Sequence, residues 1–265
     1  MSANNDSIQK TLLVAVLLCL VCAVIVAGAA VSLKPMQLAN KVEDKKRNVL
    51  AAAGMLQDGV SIEEQFKQIT TRIVNLEAGR FATDAELQEI RDAGLDPDNY
   101  DQRKASKTPA LSRALAGSED PAAIKRLEKY AAIYLIKQGD AIEKVILPIH
   151  GYGLWSTLYG FVALKGDMDT IVGLGFYSHA ETPGLGGEVD NPKWKSLWEG
   201  KKLFDEQGDI AITVVKGPAE AGNPYQVDGL SGATLTSRGV DNLVRFWVGD
   251  NAFGGLLTKL KSQGA

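Results

Sequence analysis

Residues 130–178 read YAAIYLIKQGDAIEKVILPIHGYGLWSTLYGFVALKGDMDTIVGLGFYS. Two β-rich runs, Ala131–Lys137 and Ile142–Ile149, flank Gln138-Gly139-Asp140, a hairpin signal. Ser156–Leu164 and Thr170–Ser178 flank Lys165-Gly166-Asp167 in the same way. Short turns of this kind join neighbouring strands antiparallel, because a parallel pair needs a long crossover. Further on, Ile210–Val215 reads as another strand. A helix then opens at Ser231 or Ala233, with Leu235, Val240, Leu243, Val244 and Trp247 near helical spacing.

Upstream of this stretch the pattern is helical. Lys41–Leu56 is rich in helix formers. Ser61 and Glu64 form a capping box, and Ile62, Phe66, Ile69, Ile73 and Leu76 follow as one apolar stripe ending at Gly79. Thr83 opens a shorter amphipathic stretch with Leu87, Ile90 and Leu95. Residues 96–120 read as a loop with a short helix, and Pro121–Lys129 predicts a helix with proline near its first turn. Helices first and strands after indicate an α+β fold: a soluble domain of mostly antiparallel sheet with flanking helices.

The N-terminal part is of another kind. Leu12–Leu33 reads LLVAVLLCLVCAVIVAGAAVSL, with no charged residue and no polar face. At about 1.5 Å per residue this run crosses a hydrocarbon core of about 30 Å, which predicts one transmembrane helix. The competing reading is a cleaved export signal, with Lys10 as its charged flank and Ala27-Gly28-Ala29 as a small-residue site. Against it, the apolar run continues past that site. Cys19 and Cys22 stand in C-x-x-C spacing, but Ala23 replaces the histidine of a haem site and no soluble redox context surrounds them; they read as small apolar residues facing lipid. Lys34, Lys41, Lys45, Lys46 and Arg47 follow the span and only Lys10 precedes it, so charge alone puts the large domain in the cytoplasm.

Composition removes several function classes. Lys+Arg 29 against Asp+Glu 32 leaves a net charge of −3, so nothing favours a phosphate backbone and no nucleic-acid partner is expected. An apolar share of 45% excludes disorder, and two cysteines cannot staple a scaffold. No P-loop or H-E-x-x-H is present. Gly151-Tyr152-Gly153 and Gly184-Leu185-Gly186 lack the third glycine of a dinucleotide fingerprint. His150 and His179 are too few for most histidine metal sites, and no metal site is expected.

One cluster remains, Gln226–Ser237, QVDGLSGATLTS. Ser231, Thr234, Thr236 and Ser237 supply hydroxyls beside Gly229, Gly232 and Asp228. The glycines let backbone approach a bulky group, and the N–H groups of a helix start suit a phosphate. An ordinary turn into an N-capped helix has the same appearance.

Asp228-Gly229-Leu230-Ser231-Gly232-Ala233-Thr234 resembles the D-G-x-[ST]-G-A-T flavinylation motif of FMN-binding domains. Gly151-Tyr152-Gly153-Leu154-Trp155, His179-Ala180-Glu181-Thr182-Pro183-Gly184-Leu185-Gly186, Pro192-Lys193-Trp194 and the single span match as well. Together they are similar to the C subunits of sodium-translocating NADH:quinone reductases, with the G subunits of Rnf complexes as close relatives. The match covers the span and roughly residues 130–260; residues 40–125 carry weaker motifs.

The resemblance implies a redox subunit with no NADH site of its own. FMN would be held through a phosphoester on Thr234, placed there from FAD by a flavin transferase. Thr236 and Ser237 stand nearby, but the motif favours Thr234. Ser231, Gly232, Ala233 and Leu235 would surround the attachment. Asp228 is a candidate to position Mg²⁺ or a proton during attachment. Leu154, Trp155, Glu181, Thr182, Gly184 and Leu185 would line the flavin, and Lys216 would offset its charge. On the residues alone, Trp155 is equally a core tryptophan, Glu181 a solvated loop acid, and both histidines structural. No residue is assigned a catalytic role. The implied layout is a tail over 1–11, an anchor over 12–33, a helix-rich membrane-proximal part over 34–129 and an FMN-binding domain over 130–265. Implied partners are the other subunits of a membrane redox complex, the flavin transferase and membrane lipid. The resemblance places the chain in a bacterial inner membrane, single-pass, with the soluble domain periplasmic. That overrides the charge count, because positive-inside is a bias and a short tail before an apolar segment resembles an export signal. Two other readings compete: a tethered binding module with loose flavin or none, and a hydrolase using Ser231 or Thr234 with His179.

Overall fold

The computed structural model describes residues 7–262 and divides after Asp44 into two compact units. The first six residues of the expected tail and the last three of the chain lie outside the described residues. The first unit holds most of helix α1, Ile8–Ala52. Along its apolar run Leu12, Leu17, Val24 and Val31 are all exposed; the helix is long and apolar enough to cross a membrane, and this run is not packed into a core. Cys19 and Cys22 are free and exposed on the same helix.

The second unit is built on a six-stranded sheet. Its strands are β1 (Ile69–Asn75), β2 (Arg80–Phe81), β5 (Tyr130–Gln138), β6 (Ala141–Tyr152), β7 (Thr157–Lys165) and β8 (Ile171–Ser178). They lie in the order β2-β1-β5-β6-β7-β8, and every pairing is antiparallel. The β5–β6 hairpin turns at Gly139, whose φ of 66° suits glycine, and Gln138 pairs with Ala141 across it. The α+β expectation and both hairpins hold.

Both sheet faces are covered, which is why β5 is apolar almost throughout. On one face Leu135, Leu147, Ile149, Val162 and Leu174 pack with Val240, Leu243, Val244 and Trp247 of helix α6 (Thr234–Val248). On the other, Tyr134, Ile146, Phe161 and Ala163 pack with Val49, Leu50 and Ala53 at the end of α1 and with Ile62 of helix α2 (Ile62–Phe66). A third cluster joins Ile73, Tyr130 and Ala132 to Ile90 of helix α3 (Asp84–Asp92), Tyr100 and Ala105 of helix α4 (Gln102–Ala105).

Two expectations about local structure are corrected. The apolar stripe from Ile62 is not one helix. Ser61 caps Glu64 N–H, but α2 stops at Phe66 and β1 begins at Ile69. Ile69, Thr70, Thr71, Ile73 and Val74 are β-branched, and seven residues pair with β5; a full ladder outweighs a helical spacing of five apolar residues. Pro121–Lys129 is not a helix either. The Asp120 carboxylate accepts the N–H groups of Ile124 (2.8 Å) and Lys125 (2.6 Å), and Ala123 and Lys125 take positive φ. The chain then enters β4 (Arg126–Glu128), paired with β3 (Ser112–Ala114). Thr83 does cap α3 in a full capping box with Glu86.

After β8 the chain leaves the six-stranded sheet; residues 200–203 fold back onto the start of β8, where Ile171 N–H donates to the Lys201 carbonyl (2.8 Å) and Thr170 bridges Lys202, before the chain reaches α6. This excursion carries helix α5 (Pro192–Ser196) and a two-stranded parallel pair, β9 (Thr213–Val214) and β10 (Gln226–Val227). The predicted strand at Ile210–Val215 is thus reduced to two residues. The pair is tied to α6 by Val214 N–H on Asp241 (2.7 Å) and Arg245 on the Ile212 carbonyl (2.7 Å). Helix α7 (Gly254–Ser262) closes the described chain.

Candidate functional site

The N-terminal end of α6 is where the predicted site residues meet. Gly232, at φ 73°, turns the chain into the helix, and Ala233 occupies the N-cap with no side-chain acceptor to offer. The first turn therefore presents its N–H groups and the positive end of its dipole without a side-chain cap. Thr234 and Leu235 are exposed there, as are Ser231 and Gly232. Thr236 is fully buried and Ser237 nearly so. Ser237 Oγ accepts Leu230 N–H (2.9 Å) and donates to the Ala233 carbonyl (3.1 Å), fixing the approach to the helix. Of the four hydroxyls, those of Thr234 and Ser231 face solvent.

Three further segments reach this end. The β6–β7 turn approaches α6 closely: a Cβ on Gly239 would meet the Tyr152 carbonyl oxygen at 2.5 Å and Gly153 Cα at 2.9 Å. The 181–187 loop approaches through Leu185, whose Cδ2 would lie 3.0 Å from a Cβ on Gly232. Segment 215–217 lies against Gly229, which donates to the Gly217 carbonyl (2.9 Å), so exposed Lys216 stands beside the motif. Asp228 is half-buried; its carboxylate accepts Ala219 N–H (2.8 Å) and its carbonyl accepts Trp194 Nε1–H (2.8 Å). Those contacts make Asp228 a staple of the loop.

Beyond residue 45 the large apolar side chains more than a third exposed are Leu56, Val60, Tyr152, Leu154, Trp155, Leu185 and Leu235. All but the first two belong to the segments that meet at Thr234. Trp155, at 64% exposure, is not a core tryptophan; Trp194, Trp198 and Trp247 are. An apolar rim this concentrated is unusual on a soluble surface and marks a place for an apolar group. A flavin's ring system fits such a rim, and its phosphate fits a helix start beside a lysine, so the residues present suit FMN. The rim is an open face. A cavity of about 500 Å³ exists elsewhere, between Glu77, Arg113, Glu119, Lys129 and Asp250, and holds none of these residues.

Glu181 is only 5% exposed, so it is no solvated loop acid. Its carboxylate accepts the N–H groups of Leu154, Trp155 and Ser156 and the Thr236 hydroxyl. Thr182 is exposed, and its carbonyl accepts Leu185 and Gly187 N–H (3.1 and 2.9 Å); Gly184 turns this loop at φ 75°. His179 Nε2 pairs with Asp190 (2.8 Å), while Nδ1 accepts Glu181 N–H (3.2 Å). Both ring nitrogens are thus engaged, and neither contacts Ser231 or Thr234 as a hydrolase would need. Among the described residues no three His, Cys, Asp or Glu side chains gather to hold a metal ion.

The FMN-binding domain family matches residues 153–249, which take in Leu154, Trp155, the 181–187 loop, Lys216 and the start of α6, with Tyr152 just outside. The C subunit of the Na⁺-translocating NADH-quinone reductase from Pseudomonas aeruginosa is 53% identical, covering 98% of each chain. Its counterpart from Vibrio parahaemolyticus is 48% identical over 100% of this chain and 99% of its own. The chain belongs to the family of Na⁺-translocating NADH-quinone reductase C subunits. Membership makes it a component of an oxidoreductase complex, and it decides against the Rnf alternative. The crystal structure of Shewanella oneidensis NqrC superposes with a TM-score of 0.75 at 35% identity, covering 84% of this chain and 99% of that one.

The sequence did not reveal Thr236 and Ser237 as internal braces, nor the partners of Glu181. The one signal available was an excess of hydroxyls: four in one motif, where a single attachment needs one.

Proposed function

We propose that this chain is the electron-transfer subunit of a membrane-bound, sodium-translocating NADH:quinone reductase and that it carries FMN esterified to Thr234 Oγ1. The observation that carries the reading is the exposed Thr234 hydroxyl at an uncapped helix start, ringed by Leu154, Trp155, Leu185 and Leu235. FMN supplies a carrier that passes electrons one at a time between redox centres of partner subunits. The chain's own residues do the rest. Thr234 contributes the ester oxygen. The N–H groups and dipole of the first turn of α6, with Ser231, Gly232 and Ala233, face the phosphate, and Lys216 offsets its charge. The apolar rim excludes water from one side of the ring, with Thr182 and Gly184 beside it. Asp228 shapes the motif during attachment by the flavin transferase.

The same reading gives the layout. A tail over 1–11 and an anchor over 12–33 precede a membrane-proximal part over 34–129, whose β1 and β2 complete the sheet of the FMN-binding domain over 130–265. The soluble part is periplasmic, in a bacterial inner membrane, with lipid around the anchor. A phosphatase reporter fused after Ala265 is active if this is right; activity only from a cytoplasmic reporter reverses the orientation.

The deciding experiment on the cofactor is in-gel ultraviolet fluorescence with intact mass, on chain from its native host or co-expressed with the transferase. A fluorescent band heavier by FMN minus water, dark in Thr234→Ala, is the expected result. A dark wild-type band of unmodified mass leaves the tethered binding module as the better reading.

A further inference from the structure

Glu181 carries more than a loop acid ordinarily does. Its Oε1 accepts N–H from Leu154 (3.2 Å), Trp155 (3.0 Å) and Ser156 (3.2 Å), and its Oε2 accepts from Leu154 (3.2 Å) and from Thr236 Oγ1 (2.7 Å). Three consecutive N–H groups make a concave anion seat, and here the chain fills that seat with its own carboxylate. Burial raises the pKa of Glu181, but the Thr236 hydroxyl and the three N–H groups outweigh it, and the pKa is lowered overall. The carboxylate is therefore ionised at neutral pH.

The four donors belong to two different walls of the site. Leu154–Ser156 carry exposed Trp155, and Thr236 is two residues beyond Thr234 on the first turn of α6. The junction has no slack. A Cβ on Gly153 would meet Glu181 Oε1 at 2.7 Å, and one on Gly186 would meet Thr236 Oγ1 at 2.5 Å and Glu181 Oε2 at 2.9 Å.

We propose that Glu181 is a positioning residue for the cofactor face: it clamps the Trp155 turn to the first turn of α6 and so sets the apolar wall relative to Thr234. It acts through Trp155 and Thr236 rather than on Thr234 itself. The inference rests on the reading that Thr234 carries the flavin. In Glu181→Gln the side chain keeps its shape but loses its charge: the amide oxygen can still accept the three N–H groups, only more weakly, while the NH2 replaces the oxygen that accepted the Thr236 hydroxyl and the second bond from Leu154 N–H. Thr236→Val removes one donor only, and Thr236→Ser restores it.

The test uses the full-length chain, with and without the co-expressed transferase. Without it, amide hydrogen exchange at Leu154, Trp155 and Ser156 should quicken about tenfold or more in Glu181→Gln, while amides in the centre of the sheet keep their protection. With it, the flavin-bearing fraction by intact mass should fall severalfold in Glu181→Gln and Thr236→Val and return to wild-type level in Thr236→Ser. If Glu181→Gln does not fold, the Thr236 pair decides. Unchanged exchange at 154–156, or full flavin loading once those amides have loosened, overturns the inference. Wild-type chain that takes up no flavin at all overturns the Thr234 reading and the cofactor role of the clamp together. Loading of wild type and variants alike overturns the clamp alone.

Discussion

His150 Nδ1 lies 4.0 Å from Glu128 Oε1 inside the domain, yet the two do not form an ion pair at neutral pH. Burial, with the Arg103 charge nearby, pushes His150 down to about 3, and burial pushes Glu128 up to about 8 against hydrogen bonds from its own backbone and from Gln102. Both groups stay neutral, because taking either charge out of water costs more than their separation returns. His150 instead stacks on Tyr159 and offers its carbonyl to Trp247 Nε1 (2.6 Å), bracing β6 against α6 just before the site.

The buried carboxyl makes stability depend on pH with a definite sign. Folded Glu128 holds its proton to about pH 8, whereas the unfolded chain releases it near 4.5. Between those values the folded state binds more protons, so this contribution to stability is lost as pH rises through the window. Glu128→Gln should remove that slope. The difference in urea midpoint between variant and wild type should grow in the variant's favour from about pH 5 to about pH 8, then level off. A difference independent of pH would count against a neutral buried Glu128.

Thr234→Ala should leave the fold intact. The side chain is exposed at a helix position with no bond to the core, so the stability change should stay within about 0.5 kcal/mol. Loss of flavin with an unchanged denaturation curve is the expected pair of results; a large drop in stability would give Thr234 a structural role.

Gly153→Ala should do the reverse. Its Cβ would meet Glu181 Oε1 and Leu158 Cδ1, both at 2.7 Å, inside a junction already full. Overpacking of this kind costs about 1–3 kcal/mol. Thermal unfolding measures the loss, and a variant as stable as wild type would show that the turn can relax.

Trp155 is 64% exposed, while Trp194, Trp198 and Trp247 are at most 7% exposed. Acrylamide should therefore quench one long-wavelength component of the flavin-free chain, and Trp155→Phe should abolish that component alone. A quenchable component that survives the substitution would mean another tryptophan opens to solvent.

Leu147 is fully buried on β6 between sheet and helix. Leu147→Ala should cost about 2–5 kcal/mol, measured by chemical denaturation, with the flavin motif itself untouched. A cost below that range would mean the neighbouring core collapses into the space.

Features written in neighbouring residues could be read before any fold was known. The apolar run Leu12–Leu33, the hairpin around Gly139, the helix start at Thr83 and the 228–234 motif were all legible, because turn chemistry, helix-start signals and hydrophobic length act within one short segment. Long-range packing fixed the rest. Ile69–Asn75 became a strand because β5 offered a complete ladder, and 126–128 became one after Asp120 turned the chain. Four hydroxyls looked alike in the motif, and packing alone separated exposed Thr234 from buried Thr236. Glu181 finds its donors 25 to 27 residues back and 55 residues ahead. Partners so distant meet only after the sheet has folded and α6 has docked, and no local pattern records such a bond.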